Sequence, residues 1–107
     1  MTTNKINYQR PDKTYQDRLT NQDINDKLKD YIIVEDIKTV PINVHLRYFI
    51  YDPQTKKRKF RVGGKLLRID SLGRFITLSN DQISWSVQIP NTIFYKKLYL
   101  DEYKEEL

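Results

Sequence analysis

The chain has 107 residues, a length that suits one domain, and it carries 19 Lys and Arg against 14 Asp and Glu, a formal net charge of +5 at pH 7. It has no Cys, which excludes disulfide scaffolds, thiolate metal sites and cysteine nucleophiles, and its single His leaves no acid–base constellation for a conventional enzyme. No apolar run approaches the roughly 20 residues of a membrane-crossing helix, and the polar amino terminus does not have the pattern of a secretory signal.

Residues 1–27 place Ile6, Tyr8, Tyr15, Leu19 and Ile24 among polar neighbours, too little apolar surface for a core of their own. They read as a polar arm that orders against its own domain or a partner. Within it, Thr20 and Asp23 fit a capping box, and Ile24, Leu28 and Tyr31 follow at helical spacing, which predicts a short helix around 21–30. From Tyr31 to about Lys97 the apolar period becomes two. In N-V-H-L-R-Y-F-I (residues 43–50), Val44, Leu46, Tyr48 and Ile50 share one face, while His45, Arg47, Phe49 and Tyr51 share the other. Asp52-Pro53-Gln54-Thr55 is a turn signal, because Pro presets the backbone angle and Asp bonds back to the chain.

The strand that follows puts Phe60 and Val62 toward the core by parity. Gly63-Gly64 then interrupts it, after which Leu67 and Ile69 take over the inward parity, although Leu66 leaves the frame ambiguous. A bulge at the glycines supplies the extra residue for this switch and the sharp bend that a small rolled sheet requires. Asp70-Ser71-Leu72-Gly73 and Asn80-Asp81-Gln82 mark further turns on either side of R-F-I-T-L-S. I-S-W-S-V-Q-I alternates most cleanly, with Ile83, Trp85, Val87 and Ile89 on one side. Pro90 ends that strand, and Thr92–Lys96 reads as a last one. The tail 99–107 is acidic and reads as a helical turn or a frayed end.

Short strands separated by turns, with no long helix between them, predict an all-β domain over residues 28–98: a small antiparallel barrel of five or six strands, SH3-like in preference to OB-like. The long central hairpin and short connections favour the SH3-like form. Trp85, Phe60, Phe94 and about ten aliphatic residues suffice for a modest core, at roughly 1.5–3 kcal/mol for each large apolar side chain fully buried.

The densest chemical feature is Lys56-Lys57-Arg58-Lys59-Phe60-Arg61, five cations in six residues at the hairpin end. Over residues 28–100 there are 13 Lys and Arg against 6 Asp and Glu, so the predicted barrel is more basic than the whole chain. Such a cluster attracts polyanions by releasing condensed counterions. With Arg47, Phe49 and Tyr51 on the adjacent strand's outward face, it has the interleaved cations and rings that suit single-stranded nucleic acid. The candidate binding residues are therefore Arg47, Phe49, Tyr51, Lys56, Lys57, Arg58, Lys59 and Arg61. The competing reading is a solubilising turn, with Phe49 and Tyr51 packed beneath the arm.

No other motif carries chemistry. Gly63-Gly64-Lys65 lacks the upstream Gly and the following Ser or Thr of a phosphate-binding loop. His45 has no second ligand at metal spacing, and the adjacent pairs Glu35-Asp36 and Asp101-Glu102 do not face each other as catalytic carboxylates would. The expectation is a non-catalytic module with no cofactor, no metal and no small-molecule substrate, whose partner is nucleic acid. The alternative is a structural or assembly protein that holds protein neighbours through residues 1–27 and the tail. A membrane partner is not expected, because no apolar anchor accompanies the cations.

The run carrying Phe60, Arg61, Gly63, Gly64, Leu78, Trp85, Ser86, Val87, Gln88 and Phe94 resembles short uncharacterised proteins encoded by giant (nucleocytoplasmic large) DNA viruses, over roughly residues 28–98. The resemblance implies a viral origin, and with it a virion component or a nucleic-acid-associated factor, located in the host cytoplasm or the virion. The absence of Ala and abundance of Ile, Lys, Asn and Tyr fit an AT-rich coding region.

Overall fold

In the computed structural model, which describes residues 15–99, Thr20 starts the first helix by the predicted capping box. Its hydroxyl accepts from the Asp23 amide at 3.1 Å, and the Asp23 carboxylate accepts from the Thr20 amide at 3.0 Å. Helix α1 (Asn21–Lys27) is shorter than predicted and caps at Leu28, so Tyr31 already belongs to the first strand. A 3-10 turn at Tyr15–Arg18 precedes it. Ile6, Tyr8 and residues 100–107, including the acidic pair Asp101-Glu102, lie outside the described residues.

Six strands follow: β1 (Tyr31–Ile33), β2 (His45–Asp52), β3 (Lys57–Ile69), β4 (Phe75–Ser79), β5 (Ser84–Gln88) and β6 (Ile93–Lys97). All pairings are antiparallel, in the order β1-β6-β2-β3-β4-β5. Strands β2 to β5 form a meander, and β6 returns to the far side of β2. The all-β reading therefore holds, with the short connections and long central hairpin that favoured the SH3-like form. The sheet rolls without closing: β1 and β5 are its edges, and no ladder joins them.

The roll is possible because β3 belongs to two halves. Its first part pairs with β2 and its second with β4, with a register shift in each ladder. Gly63 sits at the first shift with φ +78°, and a Cβ there would overlap the Leu46 carbonyl. Inside the roll, Leu46, Leu66, Ile76 and Leu78 are fully buried, joined by Tyr48, Val87, Phe94, Ile37 and Val40.

Two details of the predicted parity are corrected. Phe60 pairs directly with Phe49, so it is buried on the opposite face, against the rings of Phe49 and Tyr95, rather than in the main core. The second parity change falls at Leu67, between the registers of Leu66 and Arg68. Leu66 is buried, Leu67 is exposed and Ile69 packs against the core. One glycine pair suggested one bulge, whereas the bend is distributed over two. Gly63→Ala is expected to lower unfolding stability by roughly 2–4 kcal/mol, because the side chain meets backbone in a left-handed conformation; urea denaturation of the variant measures it.

Candidate nucleic-acid interface

The hairpin between β2 and β3 is built around Asp52. Its carboxylate accepts from the Gln54 amide at 3.0 Å and from the Thr55 hydroxyl at 3.1 Å, and its carbonyl accepts from the Lys56 amide at 2.7 Å. Lys56 closes the turn in the left-handed region at φ 59°. The Lys59 ammonium stands 3.1 Å from Asp52. That ammonium first, and the Gln54 amide next, hold the Asp52 carboxyl below the usual carboxylate range.

The five clustered cations thus have different surroundings. Lys59 is tied to Asp52. Arg61 is half-buried and donates to the Asp17 carboxylate at 2.9 Å and to the Phe60 carbonyl at 3.0 Å. Beside it the Gln16 side chain accepts from the Val62 amide at 2.7 Å, so the 15–18 turn covers the part of β3 that has no β4 neighbour. Arg58 is exposed and donates to the Asn91 carbonyl at 2.8 Å, a bond that leaves its charge uncompensated. Lys56 and Lys57 are exposed and make no ion pair among the described residues.

The predicted ring platforms separate. Tyr51 is 43% exposed and pairs across the hairpin with Arg58. Phe49 is half-buried and engaged edge-on by Phe60 and Tyr95, with centroids at 5.3 and 5.9 Å. Arg47 is also drawn inward. Its guanidinium lies 4.8 Å from the Tyr31 ring centre and donates to the Val62 carbonyl at 3.0 Å, while its Nε is buried without a partner. Parity placed Arg47 and Phe49 on the outward face correctly; it had no means of showing that the rings of Tyr31, Phe60 and Tyr95 pack against them there.

A groove of about 540 Å³ that the sequence did not reveal adjoins the basic hairpin. Tyr51 and Pro53 form one wall, Ser86, Gln88 and Pro90 the other, and Tyr48, Ile50 and Val87 the apolar floor. Across the floor, the Trp85 indole donates to the Tyr48 hydroxyl at 3.0 Å, so Trp85 is a packed side chain that ties β5 to β2. Among the described residues no group of His, Cys, Asp or Glu could hold a metal ion. No helix there is long and apolar enough to cross a membrane.

His45, at the other end of β2, meets the Tyr31 hydroxyl at 3.0 Å. Burial, and after it Arg47, Lys97 and Lys65, push its imidazole down to about 4. Burial also raises Tyr31, so at neutral pH a protonated phenol and a neutral imidazole share this hydrogen bond.

Comparison with known proteins places the chain beside a giant-virus protein. An uncharacterised protein of Acanthamoeba polyphaga mimivirus is 38% identical over 101 residues, covering 94% of this chain and 66% of that protein. The chain thus spans just under two thirds of its relative's length, and the resemblance to giant-virus proteins read from the residue pattern holds. No protein-family model matches the chain, and no solved structure does.

The depressed His45 value predicts a pH effect on stability. Between about 4 and the ordinary 6.5 the unfolded chain binds a proton that the folded one refuses, so stability is full above 6.5 and declines as pH falls toward 4. The thermal midpoint should follow that course, and His45→Gln should flatten it. Asp23, Asp52 and Asp70, all lowered from 3.8, act at pH values below this window.

Proposed function

We propose that the chain is a non-catalytic β-roll module whose basic hairpin binds a polyanion, above all single-stranded nucleic acid. The observation that carries this reading is the exposed trio Lys56, Lys57 and Arg58, without acidic partners, beside exposed Tyr51 and the adjoining groove. Lys59, paired with Asp52, adds no net charge to the trio. Arg61 is neutralised by Asp17, and Arg47 and Phe49 leave the contact set because ring neighbours already engage them. Phosphates pair with the trio and a base stacks on Tyr51 or enters the groove, a division of labour that suits single strands better than a duplex. A place in the cytoplasm of an infected cell or in the virion goes with this reading.

Neutralising the trio by Lys56→Gly, Lys57→Gln and Arg58→Gln leaves the Asp52 and Asp17 pairs in place. Titration of labelled oligonucleotides at several salt concentrations should then show the slope of log K against log salt reduced by about 2–3. An unchanged slope excludes this face. The rival reading, an assembly protein that grips neighbours through residues 1–27 and the tail, is separated by removing residues 1–14 and 100–107. That truncation keeps the bonds of Gln16 and Asp17 to β3; it leaves oligonucleotide affinity intact under the first reading and weakens protein association under the second.

A further inference from the structure

The free edge of β5, which borders the groove beside the basic hairpin, carries an inference that rests on its backbone and not on the clustered cations. The Asn80 amide donates to the Ile83 carbonyl at 3.1 Å, and the Ile89 amide donates to the Arg74 carbonyl at 2.9 Å. Between these fixed points β4 and β5 run in register from Ser79↔Ser84 to Phe75↔Gln88. Bonded and non-bonded pairs alternate in an antiparallel ladder. Trp85 and Val87 therefore direct their backbone groups to β4, while Ser84, Ser86 and Gln88 direct theirs away. None of those outward amides and carbonyls has a partner among the described residues.

Other exposed backbone is guarded. β1 is only three residues long and is preceded by Asp30. The unpaired part of β3 bears the basic cluster and is covered at Val62 by Gln16. β5 has no such device: residues 83–90 contain no charge and no Pro before position 90. Open space, not packed chain, separates Ser86 and Gln88 from Tyr51 and Pro53.

The segment is also complementary to itself. Antiparallel pairing about a two-fold axis at Ser86 sets Ser84 against Gln88, Trp85 against Val87 and Ile83 against Ile89, apolar to apolar and polar to polar, with no like charges opposed. The three outward residues are symmetric about that axis, so Ser84–Gln88, Ser86–Ser86 and Gln88–Ser84 all become hydrogen-bonded pairs exchanging two bonds each. Ile83, which is 64% exposed, gains an apolar neighbour. We propose that β5 is the self-association edge of this protein, joining the sheets of two copies by antiparallel β5–β5 pairing. Because each copy has a formal charge of +5, this association strengthens with salt, opposite to the binding of a polyanion.

Sedimentation of the full chain over a range of concentrations and at two salt concentrations tests it. The expected result is a monomer–dimer equilibrium that shifts toward dimer as salt rises. Ser86→Pro removes an outward amide that the chain's own ladder does not use, so it should give a monomer with a nearly unchanged thermal midpoint. Since the chain has no Cys, Ser86→Cys supplies an independent readout. Cα atoms of a bonded pair lie about 5.5 Å apart, within the roughly 4.4–6.8 Å that a disulfide spans. Oxidation should link this variant into dimers and leave Ser71→Cys, on an exposed turn, largely monomeric. A wild-type chain that stays monomeric and a Ser86→Cys variant that fails to cross-link would overturn the proposal. A dimer that survives Ser86→Pro, or equal cross-linking of the two cysteine variants, would also overturn it.

Discussion

Where β3 turns from one half of the roll to the other, three strands are brought to one point by two residues without side chains. A Cβ on Gly63 would enter the Leu46 carbonyl of β2, and one on Gly64 would meet the Ser79 carbonyl of β4 and the Trp85 ring of β5. This close approach lets a single 13-residue strand pair with both neighbours and still change direction. Leu46, Leu66 and Leu78 fill the space the bend encloses, and the Trp85–Tyr48 hydrogen bond spans the two sides of it. Without the bend, β5 would have no route to Tyr48, and the groove beside the hairpin would have only one wall.

The same architecture sorts the charges of the hairpin. Asp52, needed to shape the turn, neutralises Lys59; Asp17, on the turn that shields the exposed backbone of β3, neutralises Arg61. These two cations fix the hairpin base in position. The cations nearest the tip keep their charge and face solvent, which is the distribution expected of a surface that attracts phosphate without weakening its own support. The value of the two paired cations lies more in positioning than in stability.

Much of this was legible in the residues, for identifiable reasons. The capping box at Thr20, the turn at Asp52 and the alternation through Ser84–Gln88 depend on neighbours in sequence, and each appears in place. What escaped depended on partners far along the chain. Phe60 went to the wrong face because its true neighbours are Phe49 and Tyr95. Arg47 looked available because nothing local indicates that Tyr31 will lie under it. The short strand β1 and the groove were invisible for the same reason: both exist only once distant segments have met.

Strand β6 makes one last demand, and it concerns time. The register that joins Leu46 to Lys96 links residues fifty positions apart, and β1 has no sheet neighbour except β6. On the ribosome the meander β2–β5 has all its own partners before residues 93–97 emerge, whereas β1, made earlier, must wait. Folding therefore includes a late loop closure in which the last strand docks beside the first of the meander and recruits the amino-terminal one, a non-local step of the kind that slows β proteins. Until it happens, the outer edge of β2 stands open in the nascent chain.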